Sequence, residues 1–215
     1  MKIEYLGHSC FKLTESTGTS IVCDPYSSEV GYAMPKVEAD AVTVSHHHFD
    51  HNAVKNIGGN PRIFDKECNE DLDGVGISSI KSFHDGARGK KRGENLIFKF
   101  RMDGIDVCHL GDLGEACSPE LIDLILPVNI LLIPVGGNYT IDAEMAKEYV
   151  DRIMPDVVVP MHFKTKDSKI DIDKIEEFIG LFDEEEVEEI GDEMTFERSD
   201  FDTAQDTRVI VMRKK

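Results

Sequence analysis

The sequence predicts a mixed α/β fold in a single domain, residues 1–215. Three observations support this prediction: β-rich segments joined by turn residues, continuous apolar runs of strand length, and amphipathic segments that alternate with the strands. A chain of 215 residues can bury a sizeable core within one domain. Glycine and proline are scattered along the chain, so no segment reads as a linker.

Two pairs of β-rich segments are typical of hairpins, namely 11–13 with 20–23 and 96–100 with 105–110. The second pair flanks Asp103-Gly104, a dipeptide that favours tight hairpin turns. Continuous apolar runs predict strands covered on both faces at 41–45, 130–133 and 157–159, and residues 208–212 predict a last strand.

Three helices are predicted between or after these strands. Ser118 offers an N-cap, and Pro119 suits the first helical position. A second segment begins at Thr140, carries one apolar stripe and stops at Pro155. Residues 173–182 form a third amphipathic segment. The apolar stripes indicate packing against the core.

The distribution of charge along the chain indicates which kinds of partner it can bind. The net charge of −18 argues against nonspecific binding of nucleic acid, which needs a basic surface. Acidic residues concentrate in 183–189, which we interpret as a solvated face or an acidic loop. Basic residues gather instead in 88–92 and at Lys164, Lys166 and Lys169. We expect 88–92, Lys164 and Lys166 to form a local positive rim that favours a small phosphorylated or carboxylated substrate. A solvated loop is the alternative.

The cellular location is also an expectation from composition. The five cysteines are odd in number and lack C-x-x-C spacing, which fits a reducing cytoplasm. The first residues show no signal-peptide pattern. Charged and proline residues interrupt the most apolar stretch, 121–135, so no membrane span is predicted.

The strongest functional signal is a histidine-rich segment that directly follows the predicted strand 41–45. In extended backbone, side chains alternate, so His46, His48 and Asp50 would share one side. A turn after Asp50 could bring His51 to the same point. Three imidazoles and a carboxylate that converge can coordinate a divalent metal. A histidine-rich surface loop without ligands is the alternative.

Further candidate ligands follow other predicted strands. His84, Asp112 and His162 each stand where an apolar strand gives way to a loop, the usual position of active sites in α/β proteins. His47 and His109 fit packing or structural roles better. His8 follows the first strand at a turn, where it is either a simple turn residue or a residue that handles substrate or protons.

At these residues the chain resembles the metallo-β-lactamase fold hydrolases. Their H-x-H-x-D-H motif is matched by His46, His48, Asp50 and His51, and their later His, Asp and His by His84, Asp112 and His162. The segments 6–11, 92–95, 134–140 and 160–163 resemble the branch that contains ascorbate-6-phosphate lactonases and N-acyl phosphatidylethanolamine phospholipase D. The resemblance covers roughly residues 3–165.

The resemblance implies a four-layer αβ/βα sandwich with two metal ions at one edge of the sheets. It assigns one metal to His46, His48 and His84, the other to Asp50, His51 and His162, and places Asp112 between them. Asp24 would support the ligands without binding metal. Zinc is favoured for the two divalent ions, and manganese or iron are alternatives.

The implied activity is metal-dependent hydrolysis of an ester, lactone or phosphoester by a metal-bridging hydroxide. Asp50 would orient the nucleophile, and His8 or Asp85 would assist proton transfer. Two other functions are open from sequence: a phosphodiesterase, and a non-catalytic metal-binding protein. A redox di-iron role is disfavoured because position 48 is histidine and no flavin-binding domain is present.

Overall fold

The computed structural model describes residues 1–202 and 206–214. The described residues form sixteen β-strands and three α-helices. The strands are β1 (Lys2–Gly7), β2 (Cys10–Thr14), β3 (Ser20–Cys23), β4 (Val37–Glu38), β5 (Ala41–Thr43), β6 (Ile57–Gly58), β7 (Arg62–Phe64), β8 (Asn69–Leu72), β9 (Val75–Phe83), β10 (Glu94–Met102), β11 (Ile105–His109), β12 (Ile130–Pro134), β13 (Val157–Met161), β14 (Val187–Ile190), β15 (Glu193–Thr195) and β16 (Arg208–Met212). The helices are α1 (Pro119–Ile125), α2 (Ala143–Ile153) and α3 (Glu176–Ile179).

Two large sheets carry the fold. One has six strands in the order β15-β1-β2-β3-β5-β7, and the other has eight in the order β14-β16-β13-β12-β11-β10-β9-β8. In the first sheet β1 and β3 are each antiparallel to β2, and β5 is parallel to β3. In the second, β9 and β11 are each antiparallel to β10, and β12 and β13 continue parallel to β11. Strands β1, β3 and β5 therefore end at one edge of their sheet, and β9, β11, β12 and β13 end at one edge of theirs.

The core is divided by the alternation of side chains along the strands. On β12, Ile130 and Leu132 face the core between the two sheets, whereas Leu131 and Ile133 face the three helices. On β3, Ile21 faces the core between the sheets and Val22 faces a third apolar cluster. Both sheets are therefore covered on their outer faces.

The predicted α/β sandwich is confirmed. Its outer layers differ, however. Helices α1, α2 and α3 cover the eight-stranded sheet, while 3-10 turns and the small β4-β6 sheet lie over the six-stranded one. Among residues 1–202 and 206–214, no helix is long and apolar enough to cross a membrane.

Most predicted elements are confirmed, with changes at their ends. Both hairpins form, and residues 208–212 form the last strand. The Ser118 hydroxyl caps α1 by accepting a hydrogen bond from the backbone N–H of Leu121. The second helix begins at Ala143 rather than Thr140, because Asp142 supplies its N-cap. Within 173–182 only Glu176–Ile179 is α-helical.

Of the two interpretations of the acidic segment 183–189, the structure fits a solvated face better than a loop, because part of the segment is a strand. A 3-10 turn, Glu184–Glu186, is followed by β14, an edge strand parallel to β16. Val187 and Ile190 pack against the core, whereas Glu188 and Glu189 are exposed. The backbone pairing with β16 and the packing of these two apolar side chains together hold the acidic stretch on the sheet.

Candidate metal centre

The candidate ligands lie together at the edge where the strands of both sheets end. His8, Asp24 and the segment 45–51 follow β1, β3 and β5 of the six-stranded sheet. His84 follows β9, Asp112 comes shortly after β11, and His162 follows β13 of the eight-stranded sheet. Because these strands share one direction within each sheet, their ends place all of these residues at one rim.

A bend in the backbone brings the side chains of the histidine-rich segment together. Strand β5 ends at Thr43, and residues 45–51 form bends and turns instead of continuing the strand. The backbone N–H groups of His51 and Asn52 both donate to the carbonyl of His48, each at 3.1 Å. The prediction that extended backbone aligns His46, His48 and Asp50 is therefore wrong. A turn closed by these two hydrogen bonds places the side chains together.

One group of imidazoles consists of His46, His48 and His84. One ring nitrogen of each lies within 4.8 Å of the corresponding atoms of the other two. The ring centroids of His46 and His84 are 4.5 Å apart. His46 and His84 are buried, whereas His48 is exposed at the entrance. Three imidazole nitrogens at this spacing can hold a divalent cation.

A second group consists of His8, Asp50, His51 and His162, whose candidate ligand atoms also lie within 4.8 Å of one another. Nε2 of His51 lies 3.7 Å from Oδ2 of Asp50. His8 Nε2 lies 3.2 Å from the same carboxylate oxygen, and its ring centroid is 4.4 Å from that of His162. All four are buried, so this group lies deeper than the first.

Asp112 lies between the two groups. Its Oδ2 is 3.4 Å from Nε2 of His84 and 3.3 Å from Nε2 of His162. The same oxygen is 3.7 Å from Nε2 of His46, and Oδ1 is 3.1 Å from Nε2 of His51. One carboxylate therefore faces imidazoles of both groups.

Asp24 and Ser45 fix the orientation of two imidazoles from behind. Asp24 Oδ2 accepts from His51 Nδ1 at 2.8 Å and from the Ser45 hydroxyl at 2.5 Å. Ser45 Oγ in turn lies 3.0 Å from His46 Nδ1. With Nδ1 protonated on both rings, the lone pairs of His46 and His51 are on Nε2, toward Asp112. Asp24 thus occupies the supporting position that the sequence resemblance implies.

Asn95 and Gly111 support Asp112, and neither was singled out from sequence as a site residue. The side-chain oxygen of Asn95 accepts from the backbone N–H of Asp112 at 2.9 Å. Gly111 has φ +58°, and a Cβ there would stand 2.4 Å from Asn95 Oδ1 and 2.6 Å from Ser45 Cβ. Only glycine fits at this position. The glycine before Asp112 was the available sequence signal.

Three site residues adopt left-handed backbone conformations although none is glycine: His8 at φ 57°, Asp24 at φ 45° and His162 at φ 52°. His8 and His162 hold each other, since the N–H of His162 donates to the carbonyl of His8 at 3.1 Å. Strained residues of this kind concentrate at functional sites, where the surrounding structure imposes them.

The electrostatics of the cluster favour a cation. Burial alone would raise the pKa values of Asp50 and Asp112, but neighbouring histidines hold both well below the usual range. Burial lowers the pKa of His46 and His84. The pKa of His51 is raised despite burial, because Asp112 and Asp50 face it. Ionised carboxylates and the neutral imidazoles of His46 and His84 are in the form that binds metals, whereas a bound cation would replace the proton that Asp112 and Asp50 stabilise on His51.

Hydrogen bonding within the cluster is incomplete in a way that fits metal ions. Nε2 of His46, Nε2 of His51 and Oδ1 of Asp112 are buried and make no hydrogen bond of acceptable geometry among the described residues, although the last two atoms face each other at 3.1 Å. These residues also form a third group whose ligand atoms lie within 4.8 Å of one another. Buried polar atoms without partners are costly, and coordination to a cation would satisfy them.

The other histidines have the placement expected of non-ligands. His47 is exposed, and its Nδ1 lies 2.8 Å from the side-chain nitrogen of Asn52. His109 is buried, with Nε2 donating to the carbonyl of Ser9 at 2.8 Å and Nδ1 accepting from the N–H of Gly111 at 3.1 Å. Both ring nitrogens of His109 are therefore occupied by the backbone.

The sheets, the shared rim and the His/Asp cluster together define a metallo-β-lactamase fold. The Beta-lactamase superfamily domain model matches residues 2–162. A UPF0173 protein of Pyrococcus abyssi is 31% identical over 186 residues, covering 77% of this chain and 84% of that protein. A UPF0173 metal-dependent hydrolase of Thermococcus onnurineus is 28% identical over 193 residues, covering 77% of this chain and 85% of that protein.

A crystal structure from Thermotoga maritima, described as a candidate Zn-dependent hydrolase of the metallo-β-lactamase superfamily, is 36% identical with a TM-score of 0.82. The match covers 100% of this chain and 99% of that one. The chain belongs to the UPF0173 metal-dependent hydrolase family of the metallo-β-lactamase superfamily. The narrower branch with ascorbate-6-phosphate lactonases stays a prediction.

Proposed function

We propose that this metal-dependent hydrolase holds two divalent cations at the described cluster. His46, His48 and His84 would bind one, and Asp50, His51 and His162 the other, with Asp112 shared between them. The observation that carries the proposal is the set of buried ligand atoms on His46, His51 and Asp112 that make no hydrogen bond within the described residues. Their neighbours complete two groups of possible ligands, one on each side of Asp112.

The chemistry of the donors favours zinc. Zinc accepts a mixed set of five borderline imidazoles and two hard carboxylates readily, and manganese or iron are the alternatives. Among the seven proposed ligands none is a cysteine, so soft metals are not favoured.

We further propose hydrolysis of a small ester, lactone or phosphoester. Two bound cations would lower the pKa of water at the site toward about 7 and offset negative charge that develops on the substrate. Asp50, which lines the adjoining cavity, would orient the attacking water by accepting a hydrogen bond from it. The cavity is about 600 Å³, a size typical of small-molecule sites.

His8 is proposed to act through Asp50. Its side chain is buried and is not among the residues that line the cavity, which favours positioning of the carboxylate over contact with substrate. Asp85 is even less suited to proton transfer, because both carboxylate oxygens accept backbone hydrogen bonds. Asp50 is thus the residue that the geometry favours for orienting the attacking water.

Two further expectations stay proposals that rest on composition. The net charge of −18 disfavours nucleic acid as a partner, and the cysteine pattern fits a cytoplasmic location.

Adjacent histidines offer a matched test. Metal content would be measured in wild-type protein, His48→Ala and His47→Ala, and turnover would be measured on a lactone panel and on bis-p-nitrophenyl phosphate. We expect His48→Ala to lose metal and at least about 100-fold in turnover, because a ligand is removed. His47→Ala should retain both. Full activity in His48→Ala would refute the ligand assignment, and the preferred substrate would separate lactonase from phosphodiesterase.

A further inference from the structure

Three basic side chains, those of Lys91, Arg92 and Lys169, line the cavity beside the proposed metal ligands. Across residues 1–202 and 206–214, none of the three has a carboxylate partner within the 4.0 Å of an ion pair. The chain has 42 acidic and 24 basic residues, so carboxylates are abundant. What distinguishes these three cations is that they converge on one cavity, where their combined field would stabilise a negative group from outside the chain.

Asp85 orders the loop that carries two of these cations. Its Oδ1 accepts from the backbone N–H groups of Ala87 and Gly89 at 2.7 and 3.0 Å. Its Oδ2 accepts from those of Lys91 and Arg92 at 2.9 and 2.8 Å. Asp85 is buried, and these bonds use only the backbone of the loop. The backbone at Lys91 and Arg92 is therefore fixed, and their side chains remain available to bind a group in the cavity.

Arg92 is further oriented by an aromatic ring. Its guanidinium carbon lies 5.1 Å from the ring centroid of Tyr139, a cation–π contact within the cavity wall. Lys169 comes from another loop, whose backbone is tied by the hydrogen bond from Lys169 N–H to the carbonyl of Val30 at 2.8 Å. Basic side chains from two loops, each held by its own backbone hydrogen bonds, thus line the same cavity. Phe49 and Ile170 add apolar surface to the same wall.

The acidic residues of the cavity do not cancel these cations. Asp50 and Asp112 belong to the proposed metal cluster. Glu29 lies 3.5 Å from the hydroxyl of Ser27, and Asp171 is exposed at the entrance. Neither approaches the three cations to ion-pair distance within the described residues.

The basic residues differ in part from those expected from sequence. The ammonium group of Lys164 donates a hydrogen bond to the carbonyl of Ile170 at 2.5 Å, and Lys166 lines a different cavity. Lys169 takes their place at the candidate site. The positive surface is therefore formed by Lys91, Arg92 and Lys169.

We infer that Lys91, Arg92 and Lys169 form an anion subsite that binds a carboxylate or phosphate group of the substrate, away from the bond to be hydrolysed. The inference rests on the proposed hydrolytic function of the adjoining metal cluster. Arg92 is suited to this role because its planar guanidinium pairs with two oxygens of one anion. Selectivity would then come from the charge of the substrate as well as from its scissile bond.

A pair of esters with the same leaving group tests the subsite. Mono-4-nitrophenyl succinate carries a carboxylate, and 4-nitrophenyl butyrate is neutral. We expect Arg92→Gln and Lys169→Gln to raise KM about tenfold for the succinate ester and to change it less than about twofold for the butyrate. Lys81→Gln is the control, because Lys81 lies in a neighbouring cavity and is already paired with Glu94 at 2.5 Å.

A binding measurement makes the test independent of turnover. Titration of the metal-loaded proteins with inorganic phosphate should show about tenfold weaker binding in Arg92→Gln and Lys169→Gln than in wild type and Lys81→Gln, at equal metal content. Acetate in the same titration distinguishes a carboxylate ligand from phosphate. Equal phosphate affinity in all four proteins would overturn the subsite. Absence of hydrolysis of both esters would count against the proposed substrate class alone, since the titration still reports on the subsite.

Discussion

The carboxylate of Asp24 lies 2.8 Å from Nδ1 of His51 and directs the other ring nitrogen of that histidine toward Asp112. Asp24 does not line the cavity beside the proposed ligands, whereas Asp50 and Asp112 do. The arrangement therefore separates two tasks: one carboxylate orients an imidazole, and others stand where cations would bind. The consequences of this separation can be measured.

Asp24→Asn should weaken metal binding by about 10- to 100-fold, because the amide cannot accept the hydrogen bonds from His51 and Ser45 as the carboxylate does. The affinity would be measured by competition with a chromophoric chelator. Asp40→Asn is a matched control, since Asp40 also accepts from a serine N–H and hydroxyl, those of Ser20, at 2.8 and 3.0 Å. Equal affinities in both variants would show that Asp24 has no orienting role.

His8→Asn should lower turnover about tenfold or more while both metals are retained, because Asp50 loses the contact at 3.2 Å that positions it. Asparagine tolerates the left-handed backbone that position 8 adopts. Metal analysis beside steady-state kinetics checks the prediction. Loss of one metal equivalent would instead place His8 among the ligands, as its grouping with Asp50, His51 and His162 allows.

Gly111→Ala should lower the free energy of unfolding by about 3 kcal/mol, because the new Cβ overlaps Asn95 and Ser45. Urea denaturation of the metal-free protein measures this without the contribution of the ligands. Gly18→Ala is the control, with φ +107° and nothing within 4 Å of an added Cβ. A loss in Gly111→Ala no larger than in the control would contradict the close approach at the site.

Native thiol titration at pH 8 should detect two of the five cysteines. Burial raises the pKa of Cys108 to about 12, so on the order of one Cys108 thiol in ten thousand is ionised at pH 8. Cys10 and Cys23 are buried with raised pKa values as well, whereas Cys68 and Cys117 are partly exposed. Because the ionised fraction of a thiol increases with pH, the three buried cysteines should react faster at higher pH. Rapid reaction of all five thiols in the folded protein would contradict the buried positions of Cys10, Cys23 and Cys108.

Much of the candidate site could be predicted from sequence because each proposed ligand directly follows or closely trails an apolar strand. That pattern is local, and His84 and His162 show it clearly. The direction of those strands then determines that they meet at one rim. The bend at 45–51 could not be predicted this way, since the run is equally compatible with an extended strand until the hydrogen bonds to the His48 carbonyl form.

The supporting residues were harder to predict because their contacts span long sequence separations. Asn95 holds Asp112 across 17 residues, and Asp24 holds Ser45 across 21. The left-handed backbone of His162 has no local sequence signal, and its N–H is held by the distant carbonyl of His8. Helix 173–182 was too long for a related reason, since an apolar stripe shows which side is buried but not where hydrogen bonding stops.

Strand β14 also affects how the molecule behaves beside its own copies. It lies at an end of the eight-stranded sheet, where an open strand could template the addition of another chain. Its exposed Glu188 and Glu189, after the acidic 3-10 turn, would face the same charges on an incoming copy. Electrostatic repulsion at this border therefore opposes aggregation by sheet extension.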